Sequence, residues 1–527
     1  MPLEAGARLV VRLAALCSRA RIVSAAHPES AVSMQTQLPQ AQREYTNGYS
    51  PQSAPARSRW LTLIVLSLGA SMIALDATIV FVALPTIRAD LAFSEASLSW
   101  VVNAYSLTFG GLLLLGARLG DLFGHRRLFL LGVLLFTLAS LICGLSTSQA
   151  TLIGARALQG VGGAVVSAVA LSLAVGLFED QRGRAKAMAV LSFANVGAGS
   201  IGFVLGGTLT SAVNWHWIFL INIPVECVVF GLSLALLKKD SNPHTTGHLD
   251  IAGALAVTAF LIVALYAITS YPESERPIEK SLPLLVIAIA LLTVFLTIEA
   301  RVRVPLVPLR FFVARNLAVA NVVYMLLTPA LYAAFFTTTL YLQAVLQYSP
   351  FQVGFAFLAI NPIAAAFTLV LAPRLVMWFG IKPPLTIGLL LAACGLALLA
   401  VVPIRGTFSV DVLPGMTLAS LGVAMATTPL MLAAMNDIEP EASGLASGLV
   451  STASSIGGAL GLAVVASLAA ARTKGLQALG FDNLTALNGG CHLAYLICCA
   501  LMLLAALVSA QSLRPDGNPS MTCAARP

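Results

Sequence analysis

The sequence contains few charged residues and many apolar ones. Asp, Glu, Lys and Arg make up 10% of its 527 residues, whereas soluble domains carry about 25%. Hydrophobic residues make up 58%, and the mean hydropathy is +0.90. This composition excludes an ordinary soluble domain and predicts an all-α polytopic membrane protein, because apolar helices can cross a bilayer.

The net charge of +8 does not indicate a nucleic-acid partner. Seven of the 30 Lys and Arg lie before residue 60, and most of the others lie in short stretches between apolar segments. A nucleic-acid-binding surface would gather them on one exposed face. We therefore expect no nucleic acid to bind, and we interpret the basic residues as determinants of membrane topology.

Motifs for catalysis, metal binding and nucleotide binding are also missing. Most cysteines lie in or next to apolar segments and no C-x-x-C occurs, so we interpret them as small buried hydrophobes. The chain has no G-x-x-x-x-G-K-[ST], H-E-x-x-H or G-x-S-x-G pattern. We expect no enzyme activity, cofactor or metal, and no pumping driven by nucleotide hydrolysis.

Fourteen apolar segments follow a polar N-terminal stretch. Most of them reach the ~20 residues that a helix needs to cross the bilayer core. We expect residues 1–58 to form a disordered cytoplasmic tail, and each segment to form one helix. The segments run about 60–84, 98–117, 127–146, 150–177, 186–211, 216–237, 250–270, 282–299, 318–345, 352–375, 383–402, 411–434, 444–470 and 490–511.

Basic residues in the loops indicate the orientation. With a cytoplasmic N-terminus, the inner loops hold fourteen Lys and Arg and the outer loops hold six. Cytoplasmic loops carry the excess of Lys and Arg. The distribution therefore predicts a multi-pass protein of the cell membrane with both termini in the cytoplasm.

Two short patterns recur along the chain. The stretch 118–126 matches 374–382 at five positions with an offset of 256, and 200–206 matches 455–461 at four positions with an offset of 255. We infer an internal duplication of about six helices per unit, which is typical of transporters. The repeated turn falls between helices 2 and 3 and again between helices 10 and 11, so helices 7 and 8 form an insert.

The duplication also predicts the domain boundaries. We assign residues 59–240 to an N-terminal six-helix half, 241–303 to the inserted pair, 304–512 to a C-terminal six-helix half and 513–527 to a cytoplasmic tail.

Three ionisable residues stand out within the predicted spans, namely Asp76, Arg156 and Glu226. A charge there is costly and marks a candidate functional site. At ~1.5 Å per residue, Asp76 and Arg156 lie ~24 and ~21 Å above the inner membrane edge, so they can pair. The pair could exchange a proton as the bundle opens to either side, or it could be a static ion pair that orients helices.

Two other polar residues belong with these. Gln159 lies one turn from Arg156 among small residues, on a helix face that we expect to be packed. Glu226 lies near mid-membrane, where it could receive a cationic substrate or a proton, or could be hydrogen-bonded as part of the structure.

The polar stretch 117–127 must form a tight turn at the membrane surface, because an unpaired loop cannot stay in lipid. Asp121 lies at the negative end of one helix, and Arg126 and Arg127 lie at the positive end of the next. Each therefore gains from a partner outside its own helix.

In helix 5, Gly202, Gly206 and Gly207 predict that this helix packs closely against another helix. Such a contact could also seal one side of the helix bundle.

Several of these stretches resemble motifs of the major facilitator superfamily, specifically its fourteen-helix drug/proton antiporter branch, over residues 58–512. Residues 75–85 are similar to L-D-x-T-[VI]-V-N-V-A-L-P, and 117–127 to G-x-L-x-D-R-x-G-R-[RK]. Residues 156–160 match R-x-x-Q-G, 215–224 are similar to W-R-W-x-F-x-I-N-x-P, and 444–448 match the helix 13 stretch.

The chain departs from these motifs at several positions. Phe81 stands where Asn is usual, and Phe203 replaces the proline of the helix 5 motif G-P-x-x-G-G at 202–207. The other departures are Ala117 for Gly, Leu122 for Arg, His125 for Arg, His216 for Arg and Glu226 for Gly.

The resemblance implies the major facilitator fold and a proton-coupled antiporter. It would export hydrophobic or amphipathic small molecules, such as drugs, antibiotics or secondary metabolites, by alternating access. Asp76, Arg156 and Gln159 would couple the proton, and the cytoplasmic latch would comprise Asp121, Gly124, Arg126 and Arg127. The partners would be protons, the substrate and the lipid bilayer, with the protein a monomer.

Two alternatives stay open. An uptake permease on the same fold is favoured by the missing helix 5 proline. A non-transporting membrane sensor would need a sizeable soluble output domain.

Overall fold

The structure is a computed structural model that describes residues 56–178, 181–237, 251–270, 277–302, 314–436, 438 and 443–513. These residues form helices and short connections, with no strand among them. The predicted tails lie outside this range, except for Leu513 and for the start of the first helix, which already begins at Ala56. The helix therefore starts three residues before the predicted domain boundary, because its hydrogen bonding continues past the end of the apolar run.

Fourteen helices correspond to the fourteen predicted segments. They are α1 Ala56–Leu91, α2 Trp100–Phe123, α3 His125–Gly144, α4 Gln149–Gly176, α5 Gln181–Ala212, α6 Asn222–Leu236, α7 Ile251–Ser270, α8 Pro277–Arg301, α9 Arg315–Leu340, α10 beginning with Pro350–Ala366, α11 Lys382–Leu399, α12 Leu413–Met435, α13 Ser443–Ala478 and α14 Asn483–Ser512. Single-turn helices Glu95–Leu98 and Trp217–Leu220 precede α2 and α6. In the described part of the chain, thirteen helices are long and apolar enough to span a membrane.

The remaining helix, α10, is interrupted. Its first part continues through a π-helical turn, Phe367–Leu371, into a second α-helical part, Ala372–Phe379. Pro373 lies at the start of this second part and has no N–H to donate to the preceding turn. A wider turn is a common response to such a missing bond, which explains why α10 divides into two shorter helices.

Helix packing follows the predicted duplication. In the N-terminal half α1 packs on α5, α4 packs on both α2 and α3, and α3 contacts α6. In the C-terminal half α9 packs on α13, α12 packs on both α10 and α11, and α11 contacts α14. Adding eight to each helix number converts the first set into the second, so the predicted two halves with an inserted pair are confirmed as the architecture. The predicted boundaries at 240/241 and 303/304 lie outside the described residues.

The inserted helices lie at the edge of the bundle. α7 and α8 pack mainly on each other, and α7 also contacts α2 and α13. Trp100 Nε1 at the start of α2 donates to Thr269 Oγ1 of α7, at 2.9 Å. Only 17% of the most apolar stretch of α8 is buried, so lipid would cover most of that helix.

The two recurring patterns have equivalent geometry. Gly124 after α2 and Gly380 after α10 both have positive φ, +95° and +77°, and each backbone N–H bonds to the carbonyl four residues earlier. This conformation favours glycine, because a Cβ would be strained there. The second pattern places glycines of α5 against α1 and glycines of α13 against α9.

Candidate functional site

A buried ion pair joins α1 to α4. Arg156 Nη1 lies 2.5 Å from Asp76 Oδ2, and both side chains are at most 1% exposed. Arg156 Nη1 also donates to Gln159 Oε1 at 2.7 Å, and Gln159 Nε2 donates to Asp76 Oδ1 at 2.8 Å. The predicted contact between Asp76 and Arg156 is confirmed, and the three residues predicted to couple the proton form one cluster. Their role in coupling stays a prediction.

Two further residues extend this polar cluster. Asn222 Nδ2 of α6 donates to Asp76 Oδ1 at 3.0 Å, and Gln159 Nε2 donates to Ser140 Oγ of α3 at 2.8 Å. The sequence analysis missed both. The signal for Asn222 was its position in the matched stretch 215–224, whereas Ser140 is a lone hydroxyl without such a signal.

Arg156 is held by a backbone carbonyl and two aromatic rings as well. Its Nε donates to Val101 O of α2 at 2.9 Å. Its Cζ lies 4.5 Å from the ring centroid of Tyr105 and 5.7 Å from that of Phe219. A cation over a ring gains ~0.5–2 kcal/mol, so the rings help to compensate for the burial of the guanidinium.

Replacing Arg156 by lysine should reduce transport about tenfold or more while the protein still reaches the membrane. Lysine keeps the charge but cannot bond Asp76, Gln159 and Val101 O together, and a hydrogen bond to a charged group contributes ~1.5–3 kcal/mol. The measurement is the initial transport rate per amount of purified protein. Arg374→Lys, at an exposed position of α10, is the matched control, and an equal loss there would contradict the explanation.

A cavity of about 500 Å³ lies between the two halves, beside this cluster. Its walls come from α1, α2, α4 and α5 on one side and from α9, α12 and α13 on the other. The polar side chains in its wall are Tyr105, Ser106, Ser167, Asn195, Tyr332, Ser447 and Ser455. Among the described residues, no Asp, Glu, Lys, Arg or His lines it. Tyr105 belongs to both features, because its ring contacts Arg156 and also faces the cavity.

Aromatic rings from both halves meet at one side of this cavity. This interhalf aromatic cluster comprises Phe81 and Phe203 of the N-terminal half and Tyr332, Phe335 and Phe357 of the C-terminal half. Ring centroids lie 4.4 Å apart for Phe203 and Phe357, 5.3 Å for Phe203 and Phe335, and 5.9 Å for Phe81 and Phe335.

Other contacts join the halves on the same side. Gln343 Nε2 of the π-helical turn after α9 donates to Val82 O of α1 at 2.7 Å, and the N–H of Phe351 donates to Ser211 Oγ at 3.0 Å. A Cβ at Gly207 would collide with the backbone of Pro350. Gly207, one of the three glycines predicted in helix 5, therefore lies at the contact between the halves, where α5 packs against α10.

The other two predicted glycines of α5 face α1. A Cβ at Gly202 would collide with the Thr78 hydroxyl, and one at Gly206 would lie 2.5 Å from Ile79 O. The predicted close packing of helix 5 is confirmed for both, whereas a role in gating stays a prediction.

Glu226 is buried in α6, one turn from Asn222, and its Oε2 has no hydrogen-bond partner among the described residues. It is not one of the residues in the cavity wall. The structure therefore does not bring Glu226 into contact with the space where a substrate would bind.

The predicted cytoplasmic latch is described only in part. Arg126 Nη2 donates to Leu234 O, near the C-terminal end of α6, at 3.0 Å. This contact gives Arg126 the expected partner outside its own helix. Gly124 forms the turn, Arg127 is exposed, and Asp121 lies in α2 with a side chain outside the described set.

Two six-helix halves around a central cavity, with a buried ion pair beside it, define a polytopic protein built as a secondary transporter.

Comparisons with known proteins identify the family. The sequence model of the Major Facilitator Superfamily matches residues 66–249 and 251–462. Puromycin resistance protein pur8 of Streptomyces alboniger is 35% identical over 421 residues, which cover 80% of this chain and 83% of the relative. Cephamycin export protein CmcT of Amycolatopsis lactamdurans is 34% identical over 421 residues, covering 79% and 86%.

A solved structure of similar fold agrees with the sequence comparisons. The crystal structure of a bacterial homolog of the human lysosomal transporter Spinster aligns with a TM-score of 0.63 at 14% identity, over 88% of this chain and 98% of that one. The chain belongs to the Major Facilitator Superfamily, as its motifs predict. The two relatives described above are named for puromycin resistance and for cephamycin export.

Proposed function

We propose that this protein is a proton-coupled antiporter that exports hydrophobic or amphipathic small molecules, such as drugs, antibiotics or secondary metabolites. The observation that carries the proposal is the buried Asp76–Arg156 pair beside a central cavity. The cavity volume of about 500 Å³ falls within the ~300–1,000 Å³ of small-molecule sites. Export as the direction is supported by the relatives, which are named for antibiotic resistance and export.

Asp76 exchanges the proton in this mechanism. Its Oδ2 accepts from Arg156, and its Oδ1 accepts from both Gln159 and Asn222, which suits an ionised carboxylate. A protonated carboxyl has an O–H that needs an acceptor and no longer attracts the guanidinium. Protonation therefore loosens the contacts that α4 and α6 make with α1.

Asn222 is suited to respond to this proton. Its Nδ2 donates to Asp76, while its Oδ1 is buried without a hydrogen-bond partner in the described structure. Rotating the amide by half a turn presents Oδ1 to the carboxyl, where it accepts from the new O–H. The same side chain can thus serve both protonation states of Asp76, at the cost of shifting its other contacts.

Alternating access then requires the two halves to rock about the cavity. The proton enters from the outer side when that side of the cavity is open, and leaves to the cytoplasm when the opposite side is open. We assign both termini to the cytoplasm of a cell-membrane protein that works as a monomer. The turn with Asp121, Gly124, Arg126 and Arg127 acts as a cytoplasmic latch, and Gly202, Gly206 and Gly207 set the close helix contacts of the outer side.

The test is uptake of radiolabelled chloramphenicol by inverted membrane vesicles with an acidic lumen. Chloramphenicol is uncharged, so a pH gradient alone does not trap it. Accumulation above that of vesicles without the protein, collapsing when a protonophore is added, supports antiport. Loss of preloaded compound under the same gradient would indicate import, and no flux in either direction would contradict the proposal.

A further inference from the structure

The cavity wall carries no charge to neutralise a charged substrate. In the described structure its polar groups are hydroxyls and one amide, and the rest of the wall is aliphatic, aromatic or methionine side chains. The nearby charges, Asp76 and Arg156, are paired with each other and fully buried. Neither side chain is part of the cavity wall, whereas Tyr105, whose ring contacts Arg156, and Ala74 and Ala77 of α1 do line it.

Glu226 does not supply the missing charge. It is absent from the cavity wall and is buried in α6 near Asn222. A cationic substrate in the cavity would lose much of its hydration without gaining a counter-charge, and such burial is strongly unfavourable. An uncharged substrate loses less and can still hydrogen-bond to the hydroxyls and to Asn195.

We infer that the cavity binds its substrate in an uncharged form, so that this protein selects neutral amphipathic molecules with hydrogen-bonding groups and excludes permanent cations. The inference rests on the proposed function and specifies its substrate class. It has a consequence for the driving force. Exchange of one proton for one neutral molecule moves a net positive charge inward, so the membrane potential drives export as well as the pH gradient.

The experiment uses the full chain in proteoliposomes, with two probes, uncharged chloramphenicol and the permanent cation ethidium. A lumen-positive potential at equal pH should drive chloramphenicol accumulation. Exchange of one proton for one monovalent cation moves no net charge, so ethidium is tested with an acidic lumen instead, where it should move at less than about a tenth of the chloramphenicol rate under the same pH gradient. Asn195→Asp places a carboxylate in the wall and should raise ethidium transport about tenfold. Asn214→Asp is the matched control, because Asn214 is exposed and the bond its Oδ1 accepts from His216 N survives the change.

The possible outcomes distinguish failure of this inference from failure of the proposed function. Transport of ethidium by the natural protein as fast as chloramphenicol overturns the assignment of substrate charge. Chloramphenicol transport that follows the pH gradient but ignores the potential also overturns it, while leaving proton coupling intact. Accumulation of neither probe under either driving force contradicts the proposed function, and this inference with it.

A second inference comes from the rings that join the halves. Tyr332 lines the cavity and its ring centroid lies 6.0 Å from that of Phe81, so the interhalf aromatic cluster directly borders the binding space. Phe81 and Phe203 are both nearly fully buried. Both also stand where this chain departs from the motifs it otherwise resembles, and they contact the same partner, Phe335.

The geometry points to the interhalf aromatic cluster as the plug that closes the outer side of the cavity. Aromatic pairs of this kind contribute free energy beyond the area they bury. The rings must separate before the outer side can open, so their contacts disfavour outward opening. The other contacts on that side, between Gln343 and Val82 O and between Phe351 and Ser211, close together with the rings.

Labelling of a cavity residue from outside the cell tests this plug. Ser455→Cys provides the label site, since Ser455 lines the cavity. A membrane-impermeant maleimide should label it about tenfold faster when Phe203→Ala is added. Phe193→Ala, which removes an exposed ring from the same helix, should change nothing. Unchanged labelling in folded Phe203→Ala protein, or an equal rise with Phe193→Ala, overturns the assignment of the interhalf aromatic cluster as the plug.

Discussion

Replacing Asp76 by asparagine should abolish gradient-driven accumulation of substrate. Asparagine cannot carry the proton. Arg156, Gln159 and Asn222 all donate hydrogen bonds to the Asp76 carboxylate, so the N–H₂ group of an asparagine would face donors instead of acceptors. The variant also leaves Arg156 as an uncompensated buried charge, which costs ~3–5 kcal/mol when one partner of a buried pair is removed. Loss of function in this variant alone could therefore reflect loss of the folded protein.

The double variant Asp76→Asn with Arg156→Gln removes that ambiguity. It has no unpaired charge at the site, so more protein should fold than with Asp76→Asn alone. We expect it to exchange labelled for unlabelled substrate across the membrane, but not to accumulate substrate against a gradient. Accumulation by the double variant would show that the proton travels elsewhere.

Asp482→Asn is the matched control for the loss of a carboxylate. Asp482 is the exposed N-cap of α14, and asparagine caps a helix equally well. Hydrogen bonds from Thr485 lower the pKa of Asp482, so this residue stays ionised throughout the pH range of the assay. Unaltered accumulation by this variant separates the coupling role of Asp76 from a general effect of losing one negative charge.

The sequence predicted the ion pair because depth along a helix is simple geometry. Counting residues from the ends of α1 and α4 gave Asp76 and Arg156 similar heights, and the contact exists. Asn222 and Ser140 could not be found this way. Whether they point toward Asp76 depends on how α6 and α3 are rotated about their axes, and that rotation is set by packing that no local pattern records.

The interhalf aromatic cluster shows a different limit. From the sequence, Phe203 was interpreted only as a missing proline that favours the uptake alternative. In the structure its ring packs against Phe335 and Phe357 of the other half. These residues lie more than a hundred positions away, so only tertiary structure reveals that the substitution changes a contact between the halves.

The duplication was easier to predict, because each recurring pattern includes glycines that the backbone geometry requires. A glycine with positive φ or a glycine against a carbonyl tolerates no other side chain without strain, so such positions retain their identity in both halves. The division of α10 by a π-helical turn was not predicted, since an apolar run containing proline reads as one span.

Replacing Gly206 by valine is the other substitution for which we expect a large effect, because Gly206 lies at a close helix contact. A Cβ at Gly206 would lie 2.5 Å from Ile79 O and 3.1 Å from Ile79 Cγ1, so valine must force α5 away from α1. The obstacle is a backbone carbonyl, which cannot turn aside as a flexible side chain can. Overpacking in a tight interface costs ~1–3 kcal/mol or more, and we expect little monodisperse protein after detergent extraction and no measurable transport.

Gly197→Val makes the same substitution on the same helix without the collision. Among the described residues, no atom outside the neighbouring turns of α5 lies within 4 Å of a Cβ at Gly197. Valine also has a higher helix propensity than glycine, so protein amount and transport should match the natural chain. Gly461 in α13 extends the test to the other half, because its Cβ would collide with Pro329 of α9. If Gly461→Val fails in the same way as Gly206→Val while Gly197→Val does not, the loss follows from the equivalent close approach of α5 to α1 and of α13 to α9. A folded and active Gly206→Val protein would mean that α5 and α1 separate without harm, and the close packing would then have no part in transport.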